Sequence, residues 1–310
     1  MNERPLGATG IRGGEIGLGA WQLGSGAWGT VDESTALAIV HRALDLGANL
    51  IDTAPGYGGG HSENVLGKAL KGRREHAVIT TKFGHTADGG SDFSAEAIRP
   101  SLESSLVRLQ TDYVDVLLLH NPPGELLDGA SPQYAVLEKL KSEGKIRAYG
   151  VSIDWRADLD KVIDSTASQA VGILFNAFHQ DPLASFRKAA ERGVGLIVKV
   201  PLDSGWLSGK YDAASTFTGV RDRWSTEQIA RRARLVDEFR SLLPDGVSVM
   251  EAALQYILAQ PEVSTIIPGA RSAEQVEANC GAADGRLPLE VVEKVYQLWQ
   301  REIESDPLPW

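Results

Sequence analysis

Residues 50–58 read Leu-Ile-Asp-Thr-Ala-Pro-Gly-Tyr-Gly: an apolar pair runs into Asp52 and then into a Pro-Gly turn that carries Tyr57. A short buried strand ending on an acid, with a loop able to fold a phenol back over the strand end, is how a parallel α/β protein presents reactive groups. Two further runs repeat the pattern. VITTKFG (78–84) places Lys82 at its strand end, and YVDVLLLH (113–120) closes on His120 after four consecutive apolar residues. Singly, such residues are more often surface charges or satisfied hydrogen-bonding groups than catalysts. At the ends of three successive strands, an acid, a phenol, an amine and an imidazole point to one convergent site.

Working outward, short apolar runs cover 16–19, 49–52, 77–82, 114–120, 146–152, 171–175, 195–200 and 265–268, eight in all. Segments of helical period separate them. Asp32 is placed to cap a helix that Gly47 ends, and Pro132 after Ser131 opens one that stops near Gly144. Ser248 with Glu251, and Ser272 with Gln275, have capping-box spacing. Eight strand-helix repeats with proline-free strands predict an α/β fold of the (β/α)8 TIM-barrel type, a single domain over 1–310 ending in a C-terminal helix and tail. A doubly wound sheet is the rival. The segment 202–227, rich in Gly, Ser, Thr and Asp, is too long for an idle barrel loop and is expected to cover a cofactor.

The chain has 310 residues and a net charge of −10, with no cluster of Lys and Arg. That balance excludes a nucleic-acid footprint, which needs a basic face to neutralise phosphates. A single cysteine, Cys280, rules out an internal disulfide. No apolar stretch approaches the roughly 20 residues a membrane helix needs, and the N-terminal segment lacks an apolar signal region. A cytoplasmic, non-membrane protein is expected, with no metal site, since the histidines and the cysteine lack ligand spacing. Oligomeric state is not encoded legibly.

One motif points elsewhere. Gly24-Ser25-Gly26-Ala27-Trp28-Gly29 matches the glycine-rich dinucleotide fingerprint, with Asp52 about 20 residues on. A true fingerprint puts its first glycine directly at a strand end. Here 20–23 intervene, and the stretch reads as a loop between the first strand and the first helix.

The four strand-end residues define a chemistry. A phenol has an ordinary pKa of about 10, and a neighbouring ammonium is expected to bring it down. Lys82 would supply that charge while Asp52 holds and aims it. Tyr57 could then donate to a carbonyl oxygen as negative charge develops there, with His120 giving a second hydrogen bond. Hydride has no side-chain source, so a nicotinamide is required above the pocket. Trp21, Trp28, Trp155 and Trp224 are candidates for an aromatic substrate wall, with His61 a weaker one, and plain packing is the alternative for each.

These residues also carry a family resemblance. LIDTAPGYG followed by SENVLG, then TKFG, the strand ending at His120, GVS at 150–152 and IPGARSAEQVEANC at 267–280 together resemble the aldo-keto reductases. The resemblance covers almost the whole chain. It implies a barrel that binds NADP(H) in extended form, an N-terminal β-hairpin closing the barrel bottom over 4–19, and a catalytic set of Asp52, Tyr57, Lys82 and His120. It further implies cofactor contacts from Gly19, Ala20, Trp21 and Asp52 near the nicotinamide, and from Ser152 to the carboxamide. The asparagine usual after that serine is Ile153 here, and Lys199 stands where the family commonly has a tyrosine on the nicotinamide, so Lys199 is read either as a ribose or phosphate ligand or as a solvent-facing lysine. The strand-six glutamine has no clear counterpart in VGILFNAFHQ (171–180), where Asn176 is only a stand-in. Pyrophosphate contacts are implied along 201–207, with backbone N–H groups from Leu202, Ser204 and Gly205 beside Pro201. Near Gly269, Arg271 is implied as the clamp on the adenosine 2′-phosphate, with Gln275 and Asn279 on the ribose and adenine; the helix start at Ser272 suits an anion. NADP(H) is favoured and NAD(H) is the alternative.

The function expected is hydride transfer between the nicotinamide and a small carbonyl or sugar substrate, an aldehyde, ketone or sugar. Two alternatives stand beside it: a sugar-oxidising NAD-dependent dehydrogenase, and a non-catalytic nicotinamide-binding regulatory subunit on the same barrel.

Overall fold

The computed structural model describes residues 1–24, 26 and 29–309, with Val220 by its backbone alone. The chain opens with an antiparallel hairpin, β1 (Glu3–Pro5) and β2 (Arg12–Gly14). The barrel strands follow: β3 (Leu18–Gly19), β4 (Leu50–Asp52), β5 (Val78–Phe83), β6 (Val114–His120), β7 (Ile146–Ile153), β8 (Ala170–Leu174), β9 (Gly195–Lys199) and β10 (Val263–Ile266). Between them run the helices α1 (Trp21–Gly24), α2 (Glu33–Asp45), α3 (His61–Ala69), α4 (Ala95–Leu109), α5 (Pro132–Ser142), α6 (Arg156–Ser165), α7 (Phe186–Glu191), α8 (Thr226–Ser241) and α9 (Val249–Leu258). After β10 come α10 (Ala273–Gly281) and α11 (Leu289–Glu302).

The eight strands form one parallel sheet in sequence order, β3 to β10. Parallel bridges Ile16↔Ile266 and Gly19↔Gly269 bring its two edges together, helped by Gly17 N–H to Ile266 O at 2.7 Å and Gly19 N–H to Pro268 O at 3.0 Å. Every residue of β5 is buried, as expected of a strand covered by helices on one side and barrel contents on the other. This closing bond pattern also corrects the hairpin. Its strand pairing ends at Gly14 rather than Gly19: the Glu15 N–H still donates to Asn2 O, but from the Glu15 carbonyl onward the backbone turns to the barrel, with Ile266 N–H donating to Glu15 O and Leu18 and Gly19 pairing with β4. Leu6 and Ile11, from the hairpin's connecting loop, pack with Leu50, Val78, Val116 and Ile197 and so plug the barrel.

Local punctuation mostly behaves as its chemistry dictates. Asp32 accepts the Thr35 N–H at the start of α2, and Ser248 and Ser272 accept from Glu251 and Gln275 N–H at the starts of α9 and α10. Neither of those boxes closes reciprocally: the Glu251 carboxylate accepts from Gln255, and the Gln275 amide oxygen takes the Arg271 N–H at 2.8 Å. The complete box is Ser225 with Gln228, so the end of the 202–227 segment is already the N-terminus of α8. Among the described residues, no helix is long and apolar enough to cross a membrane.

Candidate active site

At the C-terminal rim of the barrel lies a cavity of about 630 Å³. Strand register brings the predicted groups to it. Asp52 ends β4 and Lys82 lies one residue before the end of β5; both are nearly fully buried. Lys82 Nζ makes three contacts: 2.6 Å to Asp52 Oδ1, 2.8 Å to Thr53 O and 3.3 Å to Tyr57 Oη. An ammonium has three N–H donors, so this set uses all of them. The phenol oxygen is therefore an acceptor towards Lys82, and its own hydrogen is free to point into the cavity.

Tyr57 owes its position to a tight loop. Gly58 has φ +64°, and a Cβ there would fall 1.4 Å from the Gly24 carbonyl oxygen, so only glycine lets the loop lie against the end of α1. Trp21 stacks on the Tyr57 ring at 5.7 Å, and the His120 ring meets its edge at 6.0 Å. His120 lines the same cavity, while its Nδ1 is buried without a hydrogen-bond partner. Burial, and then the charges of Lys82 and Lys199, hold the imidazole well below its usual range, so it is neutral at pH 7. Phenol and imidazole together can polarise one carbonyl oxygen.

The phenol departs from expectation in one respect. Burial, reinforced by the Asp52 charge, pushes Tyr57 well above the ordinary value rather than below it. Lys82 lies closer to Asp52 than to the phenol, so much of its field is cancelled where Tyr57 would feel it. Burial works against both partners of that ion pair, raising the carboxyl and lowering the ammonium, with their mutual attraction opposing it.

The cavity continues past Ser152 and Lys199 to a second end near α10. Lys199 is not solvent-facing. Its Nζ contacts Ser152 Oγ at 2.8 Å, Asp154 Oδ1 at 2.9 Å and Asn121 Oδ1 at 3.0 Å, and Asn121 Nδ2 donates to Asp154 Oδ2 at 3.2 Å. Asn121 and Asp154 escaped sequence reading. Each directly follows or nearly follows a strand end, the same signal that marked His120, and asparagine tolerates the left-handed backbone that Asn121 adopts (φ +48°). Val200, Asp203 and Ser204 also have positive φ, which for a β-branched valine is a genuine outlier, and backbone strain of this kind gathers at ligand sites. Asn176 does not reach the cavity; its amide donates to Val200 O at 3.0 Å and steadies that strained turn.

Of the remaining cofactor expectations, Gly19, Trp21, Pro201, Leu202, Ser204 and Gly205 line the cavity. At its far end Gly269, Arg271, Gln275 and Asn279 do so as well. Ala20 does not: it is fully buried, its N–H donates to Asp52 O at 2.8 Å and its carbonyl accepts from Ser62 Oγ. The Gly205 N–H is also unavailable to a ligand, since it donates to Leu202 O at 2.8 Å, leaving Leu202 and Ser204 of the three predicted donors. Gln22 fills the space over Gly269, where a Cβ would fall 2.1 Å from its Oε1. Sequence reading did not find Gln22, nor His85, whose ring lies 5.0 Å from that of His120.

Of the aromatic candidates among the described residues, only Trp21 lines the cavity. Trp155 is exposed and packs on His179, Trp224 is buried against Trp206 and Phe217, and His61 is exposed at the start of α3. Trp28 lies outside the described residues, as do Ser25 and Ala27 of the glycine-rich motif. The first glycine of that motif, Gly24, ends the helical turn α1 rather than a strand, so the fingerprint geometry is not met.

The model of the Aldo/keto reductase family matches residues 15–300. L-galactose dehydrogenase of Arabidopsis thaliana is 35% identical, the match covering 90% of this chain and 87% of that protein. The NADH-specific methylglyoxal reductase of Escherichia coli (strain K12) is 32% identical over 94% and 99% of the two chains. Among solved structures, the holo form of aldo-keto reductase AKR11C1 from Bacillus halodurans superposes with a TM-score of 0.82 at 30% identity, covering 96% of both chains. With its eight-stranded barrel and these likenesses along nearly its full length, the chain belongs to the aldo/keto reductase family of NAD(P)(H)-dependent oxidoreductases.

Proposed function

We propose that this protein interconverts a small aldehyde, ketone or sugar carbonyl with its alcohol, with Tyr57 as the proton donor in reduction and acceptor in oxidation, and with NADP(H) favoured over NAD(H). The observation that carries the reading is the donor arrangement at Lys82: its three N–H groups are all engaged, so the Tyr57 hydroxyl hydrogen is left for the cavity.

The cavity residues fit a dinucleotide. Its length joins the Tyr57 end to α10, its volume is of the size that encloses an organic ligand, and the strained 200–204 turn offers backbone N–H groups midway. The N-terminus of α10, with Arg271 beside it, suits a phosphate. A bound nicotinamide supplies the hydride that no side chain can. His120, neutral, donates to the carbonyl oxygen and fixes its orientation; its unpartnered Nδ1 leaves Nε2 as the natural site of the ring hydrogen. Tyr57 gives its proton to the same oxygen, and Lys82 at 3.3 Å stabilises the phenolate that forms. Asp52 keeps the ammonium in place.

Sugar and small-carbonyl substrates are supported by the names of the two relatives, an L-galactose dehydrogenase and a methylglyoxal reductase. The second is NADH-specific, which keeps NAD(H) as the alternative cofactor. Loss of the reduced-nicotinamide absorbance band on mixing with a panel of aldehydes, ketones and sugars tests the proposal. Turnover on at least one carbonyl is expected; tight nucleotide binding with no turnover on any of them would favour a regulatory binding subunit instead.

A further inference from the structure

The catalytic end of the cavity holds two ion pairs, and the proposed reaction accounts for only one. Lys82 with Asp52 serves the phenol. Lys199 with Asp154, 2.9 Å apart, has no part in moving the proton, yet both line the cavity beside His120 and Ser152. His120 and Ser152 are paired in register on β6 and β7, and the Lys199 ammonium reaches Ser152 Oγ at 2.8 Å, so its charge stands next to the carbonyl-orienting imidazole. Lys199 and Asp154 are each largely buried, with 17% and 18% of their side chains exposed, so solvent screens them less than surface charges.

Hydride must pass to a carbonyl carbon whose oxygen is held by Tyr57 and His120. A ring able to give it would have to lie in the cavity within reach of that carbon, where Ser152, Asp154 and Lys199 line the wall beside His120. That ring is neutral when reduced and carries a positive charge when oxidised. A fixed cation beside it disfavours the oxidised form, and a fixed anion favours it. Resting on the function proposed above, we propose that the Lys199–Asp154 ion pair sets the cavity's relative affinity for oxidised and reduced nicotinamide. The paired charges oppose each other, which lets one site accept both forms; removing either partner tips the balance in a direction fixed by the charge left behind. Asn121 and Ser152, which bind the ammonium, act as positioning residues for it.

The experiment measures dissociation constants for NADP⁺ and NADPH, and for NAD⁺ and NADH, by fluorescence titration of the full-length protein and its variants. Relative to wild type, Lys199→Met leaves the Asp154 carboxylate uncompensated and should lower the ratio of oxidised to reduced dissociation constants by roughly tenfold. Asp154→Asn leaves the ammonium and should raise that ratio by a similar factor, and the double variant should return it to within about threefold of wild type. Lys199→Arg keeps the charge and should leave the ratio unmoved. A merely structural role would weaken both redox forms together. A ratio unchanged in both single variants, or moved the same way in both, overturns the inference. Should Lys199→Met not fold, Lys199→Gln and the Asp154→Asn arm read out the same two directions. A wild-type protein that binds none of the four nucleotides overturns this inference together with the proposed function, whereas binding with unmoved ratios overturns the inference alone.

Discussion

The ammonium of Lys82 lies 3.3 Å from the phenol oxygen of Tyr57, the longest of its three hydrogen bonds, and because the phenol accepts in that bond its own hydrogen is left free for the cavity. The two residues reach this relationship from different parts of the fold. Lys82 is fixed within a fully buried strand, whereas Tyr57 rides on a loop that packs against α1 through Gly58. The shorter bond to Asp52 decides where the charge sits, and the longer one decides what the phenol can do.

Replacing Tyr57 with phenylalanine removes only the hydroxyl. The stacking on Trp21 and the edge contact with His120 use the ring and should survive. Carbonyl reduction should then fall by roughly two to four orders of magnitude, the usual worth of a positioned proton donor, while nucleotide binding and thermal stability stay near wild type. Unimpaired kcat in steady-state assays would remove Tyr57 from the proposed role.

Lys82→Met should destabilise as well as inactivate. It strands the Asp52 carboxylate, nearly fully buried, without its counter-charge, and breaking a buried ion pair from one side costs about 3–5 kcal/mol. Adding Asp52→Asn to that variant removes the orphaned charge, so the double variant should regain much of the lost stability in urea unfolding. It should not regain activity, because nothing then stabilises the phenolate. A double variant no more stable than the single would show that the pair contributes by packing rather than by charge.

Proton affinities at the site fix the shape of the pH profile. Burial and Asp52 hold the Tyr57 phenol well above its ordinary value, so reduction, which needs the protonated form, should stay level as pH rises and be lost only as it passes that raised value. Oxidation needs the phenolate and should climb with pH, by up to roughly tenfold per unit, without levelling below pH ~10. The His120 imidazole is held well below 6.5, so it remains neutral and no acid limb should appear near pH 6.5. Profiles of kcat/KM in both directions check this; a loss of reduction near pH 8 would mean that the Lys82 charge outweighs burial at the phenol.

The barrel, and the polar residues that meet in one cavity at its rim, were legible in the sequence for one physical reason: buried parallel strands are apolar on both faces, so a polar residue at a strand end stands out. Asp52, Lys82 and His120 announced themselves this way, and Tyr57 by its Pro-Gly turn. Lys199 was visible by the same rule, but its partners Asn121 and Asp154 were not, because they are reached across the barrel rim by a long flexible side chain. Ala20 and the Gly205 N–H were misjudged since backbone groups next to a cavity can be committed elsewhere, here to Asp52 and Leu202, which no residue pattern reveals. The hairpin's end was placed too late because the residues that close the barrel on β10 are as apolar as a hairpin strand would be.

Arg271 provides the sharpest test at the far end of the cavity. It precedes the Ser272 cap of α10, and its own N–H is taken by Gln275 at 2.8 Å, which holds the turn while leaving the guanidinium exposed towards Gly29 and the cavity. Gly269, covered by the neutral Gln22, contributes no charge there. A hydrogen bond to a charged group is worth about 1.5–3 kcal/mol, so Arg271→Ala should weaken NADP⁺ binding by roughly tenfold to a hundredfold and leave NAD⁺, which lacks the 2′-phosphate, within about twofold. Calorimetric titration of both nucleotides distinguishes the outcomes. An equal loss for the two would place Arg271 on the pyrophosphate, and an unchanged NADP⁺ affinity would reject Arg271 as the clamp on the 2′-phosphate.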